Sequence, residues 1–328
     1  MPAAEIETAV RPALQAASVR HVTVDEAGAG QRLDNFLLRT LKGAPKTLIY
    51  RIIRSGEVRV NKGRAGADTR LVSGDDVRLP PLRLPEPRPA TAPPREFPVL
   101  HEDEHLLAVD KPAGVAVHGG SGVSFGVIEQ LRRARPQARF LELVHRLDKE
   151  TSGVLLLAKK RSALTALQDQ FRARGTDKTY LALVLGDWPA QKKVIDVALH
   201  KYLDAAGERR VRAVDPDDED EGRRSITLVK VRRRFERFTL LEVTIKTGRT
   251  HQIRVHLAHE GHAIVGDAKY GDFAQNKALS KGAGHDAAKF GRMFLHAWHL
   301  AVDHPATGER LAFEAPLPDE CETFLEQL

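Results

Sequence analysis

The sequence predicts an α+β chain of two folded units, a small helix-and-sheet unit followed by a larger domain of mixed, mainly antiparallel β-sheet with helices. Three observations carry that expectation. At 328 residues the chain is longer than a typical single domain. Eight of its 18 prolines lie between Pro80 and Pro98, a composition that favours extended segments and cannot donate to a sheet. Beyond that stretch, segments with strand patterning outnumber helical ones and mostly follow one another directly, as antiparallel sheets require.

Residues 1–19 alternate alanine with scattered charges and hold no period, so a flexible N-terminal extension is expected. The first unit, 20–85, carries Leu33, Phe36, Leu37 and Leu41 on one helical stripe. Ile49, Ile52 and Ile53 repeat the stripe after a break at Gly43-Ala44-Pro45, implying two short helices. Gly56 should end the second. Val58 and Val60 then alternate with Glu57 and Arg59, and Leu71-Val72 and Val77 to Leu79 follow the turn Asn61-Lys62-Gly63, which implies a small sheet. This unit holds 13 Lys and Arg against seven Asp and Glu, a net +6 of the chain's formal +7. Charge concentrated in this way suits a polyanionic partner. A Pro-rich linker, 86–97, then leads to the second domain, 98–328.

In that domain Leu106 to Val109 and Gly114 to Val117 read as short strands about the turn Asp110 to Gly114. Two further apolar runs, at Leu141 to Val144 and at Val154 to Ala158, flank a polar loop from His145 to Gly153. The loop presents Arg146, Asp148, Lys149 and Glu150 in five positions and closes on Thr151-Ser152-Gly153, a turn-forming set. A carboxylate leaving a rigid strand between two cations is favoured in its ionised form, the form that a nucleophile or general base needs. The periodicity then predicts a helix over Arg161 to Arg174, a strand over Lys178 to Leu185, and strands Ile226 to Val231 and Phe238 to Ile245 joined by a charged hairpin. Thr250 is read as the N-cap of a helix ending at Gly261. Strands Leu295 to Val302 and Leu311 to Phe313 complete the pattern. The acidic run Asp215 to Glu221 is expected as a solvated loop turned away from a polyanion, and 271–291 as a mobile loop at a cleft rim.

His145 to Gly153, read as HRLDKETSG, resembles the HRLDxxTSG signature of RluA-type pseudouridine synthases. The pattern RLDNFL, KTLIYRIIRSGEVRVNKG and SGDDV in the first unit resembles an S4 RNA-binding domain. The resemblance implies an S4 domain followed by a pseudouridine synthase core, and an enzyme that isomerises specific uridines in RNA without a cofactor, flipping the nucleotide to reach it. It implies that Asp148 is catalytic and that Arg146 displaces the target uridine. Tyr180, in KTYLA, stands where the family has a tyrosine that stacks on the base and is implicated in proton removal. Gly248 to His256, GRTHQIRVH, resembles the motif whose first arginine, here Arg249, pairs with the catalytic aspartate. The implied RNA face of the S4 unit is Lys46, Thr47, Tyr50, Arg51 and Arg54, with Lys46-Thr47 where the S4 family usually has Ser-Arg.

Within the family the architecture looks most like the RluC branch, which modifies large-subunit (23S) ribosomal RNA. A transfer-RNA-directed synthase and a catalytically silent RNA-binding or ribosome-assembly protein are the alternatives. Whether Asp148 would attack the anomeric carbon or remove a sugar proton to give a glycal stays open. Cys321 is the lone cysteine, which excludes an intramolecular disulfide and Cys-based metal sites and suits a reducing compartment. His251, His256, His259 and His262 lack the spacing of a helical zinc motif, so no metal is expected. No apolar run approaches the ~20 residues of a membrane span, and no basic-then-apolar signal opens the chain. A cytoplasmic monomer with no membrane association and no obligatory protein partner is expected.

Overall fold

The computed structural model describes residues 18–41, 44–82, 92–120, 124–203, 209–214, 222–282 and 289–328. The expected N-terminal extension up to residue 17, linker residues 86–91 and the acidic run 215–221 lie outside the described residues. The chain divides into two compact units, Met1–Ala90 and Thr91–Leu328. Among the described residues no helix is long and apolar enough to cross a membrane.

The first unit consists of β1 (Arg20–Thr23), α1 (Leu33–Thr40), α2 (Lys46–Arg54), β2 (Arg59–Val60), β3 (Gly63–Arg64) and β4 (Asp76–Leu79), its antiparallel sheet ordered β1-β4-β2-β3. Helices of eight and nine residues are too short to persist alone. They are held by the predicted stripes, since Leu33, Phe36 and Leu37 of α1 and Ile49, Ile52 and Ile53 of α2 share one core with Val77 and Leu79 of β4. Each such side chain contributes roughly 1.5–3 kcal/mol by leaving water.

The second unit runs through β5 (Val99–Glu102), β6 (Leu106–Lys111), α3 (Val127–Ala134), β7 (Glu142–Leu143), β8 (Ser152–Ala158), α4 (Arg161–Ala173) and β9 (Asp177–Leu185). It continues with β10 (Val194–Asp196), β11 (Ala198–Leu203), β12 (Arg209–Val214), β13 (Ile226–Arg234), β14 (Phe238–Ile245) and α5 (Gln252–His259). α6 (Phe273–Lys281), β15 (Leu295–Asp303), β16 (Arg310–Glu314) and α7 (Asp319–Glu326) complete it. A ten-stranded sheet runs β10-β13-β14-β9-β15-β8-β6-β5, with β16 on β15 and β7 on β8. Only β8 and β15 pair in parallel among the described strands; the other ladders are antiparallel, as the strand succession implies. β11 and β12 form a separate hairpin whose Leu199 and Val211 pack with Val255 of α5.

The parallel pair sits in the middle of the sheet and receives the His145 to Gly153 loop. All seven residues of β8 are buried, and Gly153 lies opposite Ala297 with φ of 110°. A Cβ there would stand 2.2 Å from the Ala297 carbonyl oxygen, so the position accepts only glycine. Next to it, the Arg292 guanidinium donates to Ser152 Oγ at 2.7 Å and Ser152 Oγ lies 2.9 Å from His296 Nδ1. His296 Nε2, 3.1 Å from the Ala315 carbonyl, must carry the ring proton, so the serine donates to Nδ1. The Ser-Gly of the signature is therefore architecture.

Three expectations are corrected. Gly114 to Val117 is not a strand, because the buried Lys111 ammonium takes the carbonyls of Pro112 and Val115, each at 2.8 Å. The stretch 271–291 is not simply a loop, since it contains α6, whose first turn donates to the Asp272 carboxylate and whose Leu279 enters a core with Phe294 and Phe324. Thr250 does not cap α5. His251 occupies the cap position in the left-handed region, φ 53°, because the Gln252 side chain folds the preceding loop against itself.

Candidate active site

A cavity of about 520 Å³ opens where the loop before β8, the face of β9, the end of β14 and the start of α5 converge. Among the described residues its lining contains one carboxylate, Asp148, and seven cations: Arg146, Arg172, Arg174, Lys178, Lys246, Arg249 and Arg254. Tyr180 and His251 also line it.

The signature loop is built to present Asp148. His145 does no chemistry, since its Nε2 accepts the Leu156 N–H at 3.0 Å and its ring stacks on Phe171 at 5.0 Å. Burial, with help from the Lys178 charge, pushes this imidazole down to about 4 and keeps it neutral. Leu147 is buried in the core beneath the loop. From the opposite side Lys111 reaches across to the Lys149 carbonyl at 3.1 Å, tying the β6 turn to the residue after Asp148. Burial pushes this ammonium down to about 7, against the pull of Glu150 and Asp148.

The partner of Asp148 is not Arg249. Arg254 Nη1 donates to Asp148 Oδ2 at 3.1 Å, and the rest of that guanidinium grips Asp267, Nε to Oδ2 at 2.7 Å and Nη2 to Oδ1 at 2.8 Å. Burial alone would lower the Arg254 pKa, but Asp267 and Asp148 outweigh it and hold the arginine firmly charged. In the same way, burial would raise Asp267, and its bonds from Arg254 keep it below the usual carboxylate range. Arg249 lines the same cavity, but its Nε is buried with no hydrogen-bond partner and its backbone N–H donates to Gln252 Oε1. The physical reason is helical: Arg254 lies inside α5, next to Ile253 on its buried side, whereas Arg249 belongs to the loop that leads in.

Gln252 indexes that loop. Its Oε1 accepts from Thr247 Oγ1 at 2.7 Å and from Arg249 N, while its Nε2 donates to the Ile226 carbonyl and Thr227 Oγ1 on β13. His251 Nε2 stands 3.7 Å from Asp148 Oδ2, and its Nδ1 lies 2.8 Å from the Tyr270 hydroxyl, which accepts the Val211 N–H. Burial lowers the His251 pKa, against the opposing charge of Asp148.

Of the residues expected at the site, Asp148, Arg146, Tyr180 and Arg249 all line one cavity. Arg146 is exposed, and its side chain makes no hydrogen bond or ion pair with any described residue. Tyr180 is pushed well above its ordinary value by burial and then by the Asp148 charge, so its phenol stays protonated. On the first unit, Thr47, Tyr50, Arg51 and Arg54 are exposed along α2, whereas the Lys46 side chain lies outside what the structure describes. The Tyr50 hydroxyl donates to the buried Asp34 carboxylate, which also holds Arg32, so only its ring faces outward. Sequence reasoning missed Arg254, Asp267, Gln252 and Lys111. The available signal was the second arginine of GRTHQIRVH, sitting beside the apolar residues of a helix.

The second unit is thus a mixed sheet carrying a cavity with an anchored carboxylate, and the first is a basic helix-pair unit. Residues 105–259 match the family described as RNA pseudouridylate synthase, and residues 31–77 match the S4 domain. The chain belongs to the RNA pseudouridylate synthase family, and it is an enzyme that isomerises uridine in RNA. Among its relatives, Ribosomal large subunit pseudouridine synthase C of Escherichia coli O157:H7 is 49% identical over 319 residues, covering 95% of this chain and 97% of the relative. The protein of the same description from Haemophilus influenzae is 47% identical, covering 95% of each. The solved structure of Human RNA Pseudouridylate Synthase Domain Containing 4 is 28% identical with a TM-score of 0.57, over 70% of this chain and 92% of that one.

Proposed function

We propose that this enzyme converts specific uridines of large-subunit ribosomal RNA to pseudouridine, with Asp148 as the group that acts on the sugar. The observation that carries the reading is the Asp148 carboxylate, alone of its kind among the described residues of a cation-lined cavity and anchored by Arg254 through one oxygen. The substrate follows from the extent and identity of the relatives, which are large-subunit ribosomal enzymes over nearly their whole length.

Isomerisation breaks the bond from the anomeric carbon to N1 of the base, turns the uracil and joins the same carbon to C5, whose proton leaves as N1 gains one. Asp148 serves either by attacking the anomeric carbon or by taking a sugar proton; both need the ionised carboxylate. The nucleotide must leave its helix, at a cost of roughly a few kcal/mol. Arg146, exposed and unpaired among the described residues, is free to occupy the vacated space. Tyr180 offers a neutral ring for the flipped base to stack on; its raised pKa argues against a resting role as base. Arg249, with its unsatisfied Nε, supplies a cation for phosphate or for the base carbonyls. The α2 face, Tyr50, Arg51 and Arg54 with Lys46 and Thr47, holds the RNA backbone. The enzyme works as a cytoplasmic monomer without a cofactor or an obligatory protein partner.

The test maps pseudouridine in RNA from cells lacking the protein, before and after complementation. Large-subunit sites should disappear, return with the wild-type protein and stay absent with Asp148→Asn, whose RNA affinity should remain within a few-fold. Loss confined to transfer RNA would overturn the substrate, and restoration by Asp148→Asn would overturn the role of Asp148.

A further inference from the structure

We infer that Asp267 is a positioning residue: by holding one edge of the Arg254 guanidinium, it confines that arginine to Oδ2 of Asp148 and leaves Oδ1 free to act on the sugar. The inference rests on the reading of Asp148 as the catalytic carboxylate.

An arginine facing a single carboxylate tends to pair through two parallel N–H···O bonds and so occupies both oxygens. At Asp148 there is one such bond, from Nη1 to Oδ2 at 3.1 Å. Arg254 makes no second bond there: Nε and one N–H of Nη2 are held by Asp267, which fixes the plane and edge of the guanidinium so that Nη1 is the atom that reaches Asp148. The commitment is rigid. The Asp267 side chain is 1% exposed, against 21% for Asp148, and its Oδ1 also accepts the Lys269 and Tyr270 N–H groups. The Tyr270 ring packs against the guanidinium at 5.1 Å. The second donor near Asp148, His251 Nε2, likewise faces Oδ2. Among the described residues nothing hydrogen-bonds Oδ1, so its lone pairs remain available.

The segment that carries Asp267 is indexed by α6. Asn276 accepts the Gly266 N–H at 2.8 Å and donates to the Asp267 carbonyl at 3.0 Å, fixing the backbone on both sides of the carboxylate's Cα. Release of Asp267 would let Arg254 rotate onto Asp148 and take both oxygens. Substrate binding, which depends on other cavity residues and on the first unit, would be spared.

The full-length enzyme should be assayed on RNA purified from cells lacking it, with kcat, KM and RNA affinity measured separately. Asp267→Asn should lower kcat by about tenfold or more while KM and affinity stay within about twofold. Lysine has no planar fork to grip Asp267 along one edge while a second edge meets Asp148, so in an Arg254→Lys background the same substitution should add no further loss. An unchanged kcat for Asp267→Asn, or equal losses in both backgrounds, overturns the inference. If Asp267→Asn does not fold, Asn276→Ala decides. That change leaves every charge in place, so a kcat loss of about threefold at constant KM supports the inference and an unchanged kcat overturns it. Asp148→Asn is run alongside. Turnover by that variant refutes the underlying reading, whereas an inert Asp148→Asn beside a fully active Asp267→Asn refutes only the role of Asp267.

Discussion

Replacing Arg254 by alanine removes the cation shared by Asp148 and Asp267, and the cost can be worked from the geometry. Asp267, with a side chain 1% exposed, loses two bonds of 2.7 and 2.8 Å and cannot turn to water. Breaking a buried pair by deleting one partner costs about 3–5 kcal/mol. Asp267 keeps the N–H groups of Lys269 and Tyr270, which places the expected loss near the lower end, about 3–4 kcal/mol. Asp148 is exposed enough to recruit water and adds little. For a unit of this size each kcal/mol moves the melting temperature by about 2–4 °C, so a drop of roughly 6–16 °C follows. Both tryptophans, Trp188 and Trp298, belong to the second unit, so fluorescence melting reports on that unit alone. Arg249→Ala removes a guanidinium whose Nε has no partner and should melt within about 2 °C of wild type. Adding Asp267→Ala to Arg254→Ala removes the orphaned charge and should restore part of the loss. A wild-type melting temperature for Arg254→Ala, or a larger drop for Arg249→Ala, would refute the pairing.

On α2, Arg51→Ala and Arg54→Ala should each weaken RNA binding across sequences and reduce the salt slope by about 0.7–0.9 for each phosphate no longer engaged, read by titration at several salt concentrations; unchanged slopes would move the RNA face elsewhere. His145 and His296 are each pushed down to about 4 by burial, whereas unfolded histidine titrates near 6.5. Between those values the unfolded chain binds protons that the fold refuses, so stability falls as pH drops, by roughly 1.4 kcal/mol per pH unit for each ring. Asp110, pushed up to about 6 by burial, takes up a proton in the fold and offsets one such increment below that pH. Urea denaturation between pH 7 and 4.5 checks this, and a flat profile contradicts it. Gly153→Ala places a Cβ against backbone in the central ladder and should cost about 2–3 kcal/mol or more, whereas Gly114→Ala, also at positive φ but with open space around it, should cost about 1 kcal/mol.

α1, α2, α4, β13 and β16 stripe or alternate because solvent lies on one side, whereas β8, β9, β14 and β15 are legible as apolar runs because both faces are largely covered; all match their expected positions to within a few residues. α5 is buried on almost every side, so no stripe marks its start, which lies a residue or two beyond the position that Thr250 suggests. α6 looks like a loop in sequence because its polar and small residues and the exposed Phe273 outweigh one buried leucine, and the Asp272 cap that nucleates it resembles any acidic residue in a turn. β10, with three residues, is too short to show a period, and β11 breaks alternation by ending on the exposed Tyr202 and Leu203. At the site, the loop that carries Asp148 is legible because its charges crowd into five positions. The choice between Arg249 and Arg254 is not, because both flank the same histidine, and which one faces Asp148 depends on where the helix begins.

That choice sorts the cations of the site into two kinds. Arg254 and Lys111 face inward, the first on two carboxylates and the second on three carbonyls, and they hold the loop that carries Asp148. Arg146 and Arg249 have no anionic partner among the described residues, so their charge reaches the cavity undiminished. A polyanion entering this space meets free guanidinium groups, while the one carboxylate it must not be repelled by is held back by an arginine that phosphate cannot recruit. Removing an inward cation should therefore register in stability and kcat, and removing an outward one in RNA affinity and its salt dependence.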